Sequence, residues 1–259
     1  EFMSSRWAYE ALMVNQFKNN DFEQYFYDID KKESTADFKN IYYLPKLNEE
    51  ITECTEAWQF DEIDEEARDA LELVYNEFKK EAKENPENRF GQIDKLTPEH
   101  FTPDVGFAAM DYLTSLEKYY DDMFQEANSV KDNIRSYLLE KSSKLYRSKR
   151  NDFHNEKVAD IVKKRLDDVK MLEYKNQLYQ KTDPVFNDPE YKGFFDFRSH
   201  FYAPRKYFMG GFHETFIFNM IVIWILTLLF YVALYYNVLR KMIEWPEKIK
   251  MKYRNRHKQ

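Results

Sequence analysis

Residues Thr215 to Leu239 read TFIFNMIVIWILTLLFYVALYYNVL, and the stretch contains no charged side chain. Coiled as a helix at about 1.5 Å per residue, it would reach about 37 Å, longer than the ~30 Å hydrocarbon core of a bilayer. Thirteen of the nineteen residues from Phe216 to Leu234 are Phe, Ile, Leu or Val. Each favours insertion by about 0.3–0.6 kcal/mol, so the sum is several kcal/mol even with Asn219 inside the run. A core helix of a soluble domain rarely runs this far without a polar face. The stretch is therefore expected to be a transmembrane helix, assigned to residues 213–239. Asn219 and Thr227 are the polar positions within it to watch, suited to hydrogen bonding with neighbouring helices or to facing a translocation route.

The chain beyond it, residues 240–259, carries eight Lys or Arg against Glu244 and Glu247, a net of +6. The positive-inside rule places such a tail in the cytoplasm. The rest of the chain then carries −13 and is expected on the opposite side. Anionic lipid headgroups are a natural partner for the tail.

Ahead of the span the composition is that of a folded, mainly α domain. The sequence has 20 Tyr and 22 Phe, far more aromatics than a disordered charged segment would hold, and only 5 Gly in 259 residues. Cys54 is the single cysteine, which excludes an intramolecular disulfide and cysteine-based zinc sites. No P-loop, Gly-x-Ser-x-Gly or His-Glu-x-x-His motif occurs. Neither His200 nor His213 has a partnered nucleophile or ligand at diagnostic spacing, and no catalytic, cofactor-binding or metal-ligating residue is assigned. The acidic run from Asp61 to Glu66 lacks the glycine and alternating ligands of a calcium loop. It reads as the charged entry to a helix. Lys and Arg are interleaved with acids throughout, which argues for solvated faces and against nucleic-acid binding.

Helical periodicity places Trp7, Ala11, Val14 and Phe17 on one stripe of a helix over residues 3–17, capped by Ser4 or Ser5. Residues 1–20 are read as an interfacial helix and 21–212 as an extracytoplasmic helical domain. Pro45 is expected to end an aromatic segment, with 46–63 as a connection. A helix follows from Ala67 to Ala82, with Ala67, Leu71, Val74, Tyr75 and Phe78 on its apolar face. Residues 103–147 form one long helix, or two broken near Asn128-Ser129, with a buried seam of Val130, Ile134, Tyr137, Leu138, Lys141 and Leu145. Residues 155–179 form another, joined by the basic Arg147–Arg150 stretch into a long antiparallel helical hairpin. The adjacent acids Asp121-Asp122 and Asp167-Asp168 fall on exposed helix faces. Residues 182–214, with three prolines and dense aromatics, are read as an irregular return to the membrane surface.

The stretch Ser5-Arg6-Trp7-Ala8-Tyr9-Glu10-Ala11-Leu12-Met13-Val14-Asn15-Gln16-Phe17 resembles a segment of the ABC-2 type permease domain of G-type (white/pleiotropic-drug-resistance) ABC exporters. In that family the segment follows the fifth span and leads into the last external loop, before the sixth span returns to the cytoplasm. The resemblance covers about thirteen residues and is consistent with the order motif, domain, span, basic tail. It implies that Arg6, Trp7, Glu10, Asn15 and Phe17 are motif or interface residues. It also implies earlier permease spans upstream, a dimer, and a bacterial inner membrane location. ATP and Mg would be handled by a nucleotide-binding domain outside this chain, so the chain itself is not expected to be an enzyme. Two departures stand: the paired external cysteines of some family members are missing, and the helical region between motif and span is far longer than the usual loop. The competing reading is a single-span anchored helical module that binds a partner. The lack of a secretory signal ahead of the domain favours the permease portion.

Overall fold

A computed structural model describes residues 3–59 and 64–238. The chain is mainly helical: α1 (Ser4–Lys18), α2 (Tyr27–Phe38), α3 (Leu44–Gln59), α4 (Glu65–Glu84), α5 (Pro103–Phe153), α6 (Glu156–Lys163) and α7 (Thr215–Tyr235). Two small antiparallel hairpins interrupt them, β1 (Met171–Glu173) with β2 (Leu178–Gln180), and β3 (Arg205–Phe208) with β4 (Gly211–Glu214).

The main core lies between α2, α3, α4 and the first half of α5, around Leu47, Ile51, Leu71, Val74, Phe78 and Leu116, each less than 2% exposed. At Pro45 the expectation fails. The helix does not end there; a π-turn over Lys39–Tyr43 carries α2 into α3. The Leu44 amide reaches back to the Lys39 carbonyl. Proline lacks an amide to give and its ring presses on the carbonyl four residues earlier; a widened turn just before it relieves both defects. Residues 46–59 are therefore helix, not connection, and supply Leu47 and Ile51 to the core.

Helix α4 starts where its acids suggested. The Asp64 side chain accepts from the Ala67 amide at 2.9 Å, and Glu65 and Glu66 occupy the positive first turn. Asp61, Glu62 and Ile63 lie outside the described residues. The expected face is inward at Ala67, Leu71, Val74 and Phe78, with Tyr75 half-buried.

Helix α5 is long, but its seam and its break are elsewhere than expected. The buried residues are Val105, Gly106, Ala109, Tyr112, Leu113, Leu116, Tyr120 and Ala127. Val130, Tyr137 and Leu145 are 39%, 61% and 56% exposed and Lys141 is exposed, while Ile134 and Leu138 are half-buried, so the expected seam is largely open and nowhere fully buried. Periodicity identifies an apolar stripe; whether a neighbour covers it depends on what the rest of the chain can reach. The break is at Ser142, whose backbone leaves the helix (φ −168°, ψ 100°) while its hydroxyl accepts from the Leu145 amide at 3.2 Å. Serine hydroxyls compete with helical carbonyls in this way and start a new segment. Arg147–Arg150 lie inside the second segment.

The second arm of the expected hairpin is the eight-residue α6. Asn155 caps its start, accepting from the Val158 amide at 3.2 Å, and Lys164 ends it in the left-handed conformation (φ 49°). Leu166, Val169 and Leu172, which extended the helical spacing, are exposed by 89%, 49% and 49%. Leu172 belongs instead to the β1–β2 hairpin, whose turn places Lys175 and Asn176 at φ 52°. Asp167 and Asp168 thus lie in loop, while Asp121 is on α5 and accepts from Asn40 at 2.6 Å. Helix α6 packs on α1 in a second core of Val14, Phe17, Tyr27, Val162, Val185 and Phe186.

Residues 182–214 are less irregular than expected. They contain the β3–β4 hairpin, in register Arg205↔Glu214, Lys206↔His213, Tyr207↔Phe212 and Phe208↔Gly211. Its two-residue turn, Met209-Gly210, has φ of 51° and 84°, the geometry favoured in tight hairpins. β4 passes directly into α7. At about 31 Å for 21 residues, α7 is long and apolar enough to cross a membrane. Its most apolar window has a mean hydropathy of 2.5 and is only 6% buried, unlike a core helix. Leu239 and the basic tail lie outside the described residues.

Candidate functional site: a buried clasp at the root of the apolar helix

Helix α1 enters at Met3, without the serine cap expected at Ser4 or Ser5. It runs antiparallel along the start of α7. Lys18, its last residue, meets Glu214 at 2.7 Å, while Trp7 and Glu10, two to three turns earlier, meet Asn219. The α7 residues turned toward α1 include Thr215 and Asn219, both fully buried in a helix otherwise largely exposed.

Between them stands Lys206 of β3. Its ammonium donates to Glu10 Oε1 at 2.7 Å and Ser199 Oγ at 2.6 Å, and lies 5.8 Å from the Trp7 ring centre. The Glu10 and Lys206 side chains are 4% and 5% exposed. Asn219 Nδ2 donates to the other Glu10 oxygen at 3.0 Å and to the Trp7 carbonyl at 3.1 Å. Its Oδ1 is buried with no hydrogen-bond partner among the described residues. Burial pushes the Lys206 pKa down, and the Glu10 carboxylate offsets part of that push. Thr215 closes the assembly: its hydroxyl donates to the Ala203 carbonyl at 2.6 Å and its amide to the Pro204 carbonyl at 3.2 Å. An otherwise orphaned helix amide is thereby satisfied.

Of the residues singled out in the sequence, the structure brings Arg6, Trp7, Glu10 and Asn219 to one place. Arg6 lies over the Phe201 ring, 5.6 Å from its centre. Asn15 and Phe17 fall elsewhere: Asn15 Oδ1 accepts from Asn19, and Phe17 sits edge-on to Phe186 in the second core. Thr227 donates only to Ile223 of its own helix, at 2.8 Å, and forms no interhelical bond among the described residues. Lys206, Ser199 and Thr215 were not singled out. The adjacent Arg205-Lys206 pair was a signal for Lys206, since a lysine ahead of aromatic strand residues and close to a long apolar run needs a counter-charge if it is buried.

Two further polar groupings flank the clasp. Asp188 receives Arg205 and Lys31; burial opposes its ionisation, but these hydrogen bonds outweigh it and hold its carboxyl below the usual range. In the main core, Lys39 reaches Glu81 at 2.7 Å and the Tyr120 hydroxyl donates to the same carboxylate. Neighbouring Glu77 accepts from the Leu178 amide at 2.8 Å through one oxygen while the other is buried with no hydrogen-bond partner among the described residues. Burial raises its pKa. An open cleft of about 680 Å3, lined partly by Lys31, Lys39, Lys80 and His200, runs between these groups. His200 Nε2 lies 2.8 Å from the Pro184 carbonyl, and His213 Nε2 3.0 Å from that of Phe208. Burial pushes the His200 pKa down.

No protein-family model, curated protein or solved structure matches this chain.

Proposed function

We propose that this chain is the C-terminal portion of an ABC-2 type, exporter-like permease, in which α7 is the last transmembrane helix and the helical domain ahead of it lies outside the cytoplasm of a bacterium. The observation that carries the reading is the clasp. The permease-like motif on α1 is not an independent surface helix; its Trp7 and Glu10 meet the root of the apolar helix, and its Arg6 lies over Phe201 beside them. In such a protein, ATP and Mg would be bound by a nucleotide-binding domain outside this chain, acting on a dimer of permeases. Rocking of the spans would reach the external domain through α1, which lies flush against α7, and the domain would gate or hand over substrate.

Two measurements test this. Sequencing in frame upstream of Glu1 is expected to reveal several apolar spans, with an ATPase domain fused or encoded beside them; a secretory signal directly ahead of Glu1 would sink the permease reading. Topology is tested with Cys54→Ser carrying one new cysteine. Lys83→Cys is expected to react with an impermeant maleimide on intact spheroplasts and Arg254→Cys only after lysis. The reverse pattern overturns the orientation.

A further inference from the structure

Beside the clasp, a small cavity of about 50 Å3 opens between α1 and residues 197–199. It is far below the ~300–1,000 Å3 of sites for whole small molecules. Arg6, Arg198 and Lys206 line it against a single lining carboxylate, Glu10, with Ser199 supplying a hydroxyl; Arg198 is itself paired with Asp196 at 2.9 Å, so the surplus charge is that of Arg6. Glu10 is already committed to Lys206 and Asn219. Lys206 directs two of its three ammonium protons to Glu10 and Ser199, and the Arg6 guanidinium makes no hydrogen bond among the described residues. The pocket thus holds more positive charge and donors than its own carboxylate can match. That suits a tetrahedral oxyanion.

Its surroundings say which oxyanion. The walls are Trp7 and Phe197, whose rings each lie 6.4 Å from Phe218, the fourth residue of α7. Next to it lies an open depression of about 420 Å3 that shares Phe197 and Arg198 and adds Lys192, Phe195 and Asp196, the last paired with Arg198. Phe194, Phe195 and Met209 stand 55%, 63% and 59% exposed around this end of the molecule. Aromatic rings interleaved with cations at the root of an apolar helix fit the headgroup layer of a bilayer, where each ring can bury its apolar body. We infer that the pocket formed by Arg6, Ser199 and Lys206 binds the phosphate of an anionic phospholipid, whose acyl chains run down α7 past Phe197 and Phe218. This rests on α7 crossing a membrane, as proposed above.

The test uses the full chain in phosphatidylcholine vesicles, with and without a photoactivatable phosphatidylglycerol. Adducts are mapped by peptide mass spectrometry. Adducts are expected on the peptides bearing Arg6 and residues 197–206. In Arg6→Ala/Ser199→Ala they should fall by about tenfold, as for loss of one charge-assisted contact. Adducts on the basic tail, and all adducts in the remote variant Lys144→Ala, should stay unchanged. Retention of pocket adducts in the double variant, or adducts confined to the tail, overturns the proposal. So does full displacement by inorganic phosphate, which would make the pocket a site for a free anion. If the wild-type chain does not float with vesicles, the membrane reading falls and this site with it; flotation without pocket adducts removes the lipid site alone.

Discussion

Lys206 and Glu10 stand 196 residues apart in the chain and meet at 2.7 Å, both nearly sealed from solvent. The pair ties the first described helix to β3, the partner of the strand that feeds α7. A buried ion pair adds little net stability compared with apolar residues of the same volume, because both ions lose their hydration. Its value here is in fixing one arrangement. Any other register between α1 and α7 would strand a charge in a dry site.

Truncating one partner should therefore be costly. Glu10→Ala is expected to destabilise the fold by about 3–5 kcal/mol, since the Lys206 ammonium would remain buried without its counter-ion. The double variant Glu10→Met/Lys206→Met should recover most of that loss in thermal unfolding of the detergent-solubilised chain. If the double variant is as unstable as the single one, the pair is not what holds α1 in place.

Asn219 and Thr227, the two polar positions inside the apolar helix that the sequence singled out, should separate cleanly. Asn219→Ala removes hydrogen bonds to Trp7 and Glu10 and is expected to cost about 1–3 kcal/mol, with Trp7 fluorescence shifting as α1 loosens. Thr227→Val should be nearly neutral, because that hydroxyl bonds only to its own helix. Equal effects of the two would contradict the geometry.

Glu77 supplies a pH dependence with an unusual sign. Its folded pKa is raised by burial, so its carboxyl is protonated in both states below the unfolded value. As pH rises from that value through the folded pKa, the unfolded state ionises first and stability is lost. Glu77→Gln keeps an oxygen for the Leu178 amide and removes the titration. Urea midpoints should show the variant gaining about 1 kcal/mol over wild type at neutral pH, with no advantage in acid. An advantage that persisted unchanged in acid would rule the titration out.

Gly106 occupies a close approach between α5 and α3. A Cβ there would collide with the Thr55 hydroxyl and come within 3.2 Å of the Phe101 ring. Gly106→Ala is expected to cost about 1–3 kcal/mol through overpacking. Thr55→Ala in the same chain should return part of it, a coupling readable from a double-mutant cycle.

The parts of this fold legible in the sequence are those fixed by local chemistry. The uncharged run from Thr215, the acid-capped start of α4 and the asparagine before α6 announce themselves within a few residues. What failed needed information from elsewhere. Pro45 looks like a stop because proline breaks a regular turn; only the π-turn ahead of it, over Lys39–Tyr43, shows how the helix continues. The stripe through Val130 and Tyr137 has helical spacing whether or not anything packs on it. Strands of three or four residues, such as Arg205–Phe208, are too short to show alternation against a background rich in aromatics. The site divides the same way. Glu10 and Asn219 stand out as polar groups in apolar stretches, but that both converge on Lys206 is a property of chain topology and has no trace in spacing.

The absence of any residue between β4, ending at Glu214, and α7, starting at Thr215, has a mechanical meaning. A span joined to its domain by a loose tether can swivel while the domain stays still. Here the first residue of α7 is pinned to Ala203 and Pro204, and its neighbour Glu214 is tied to Lys18. Torque about the axis of α7 would be delivered to the β3–β4 hairpin and to α1 together, as by a crank and not a hinge.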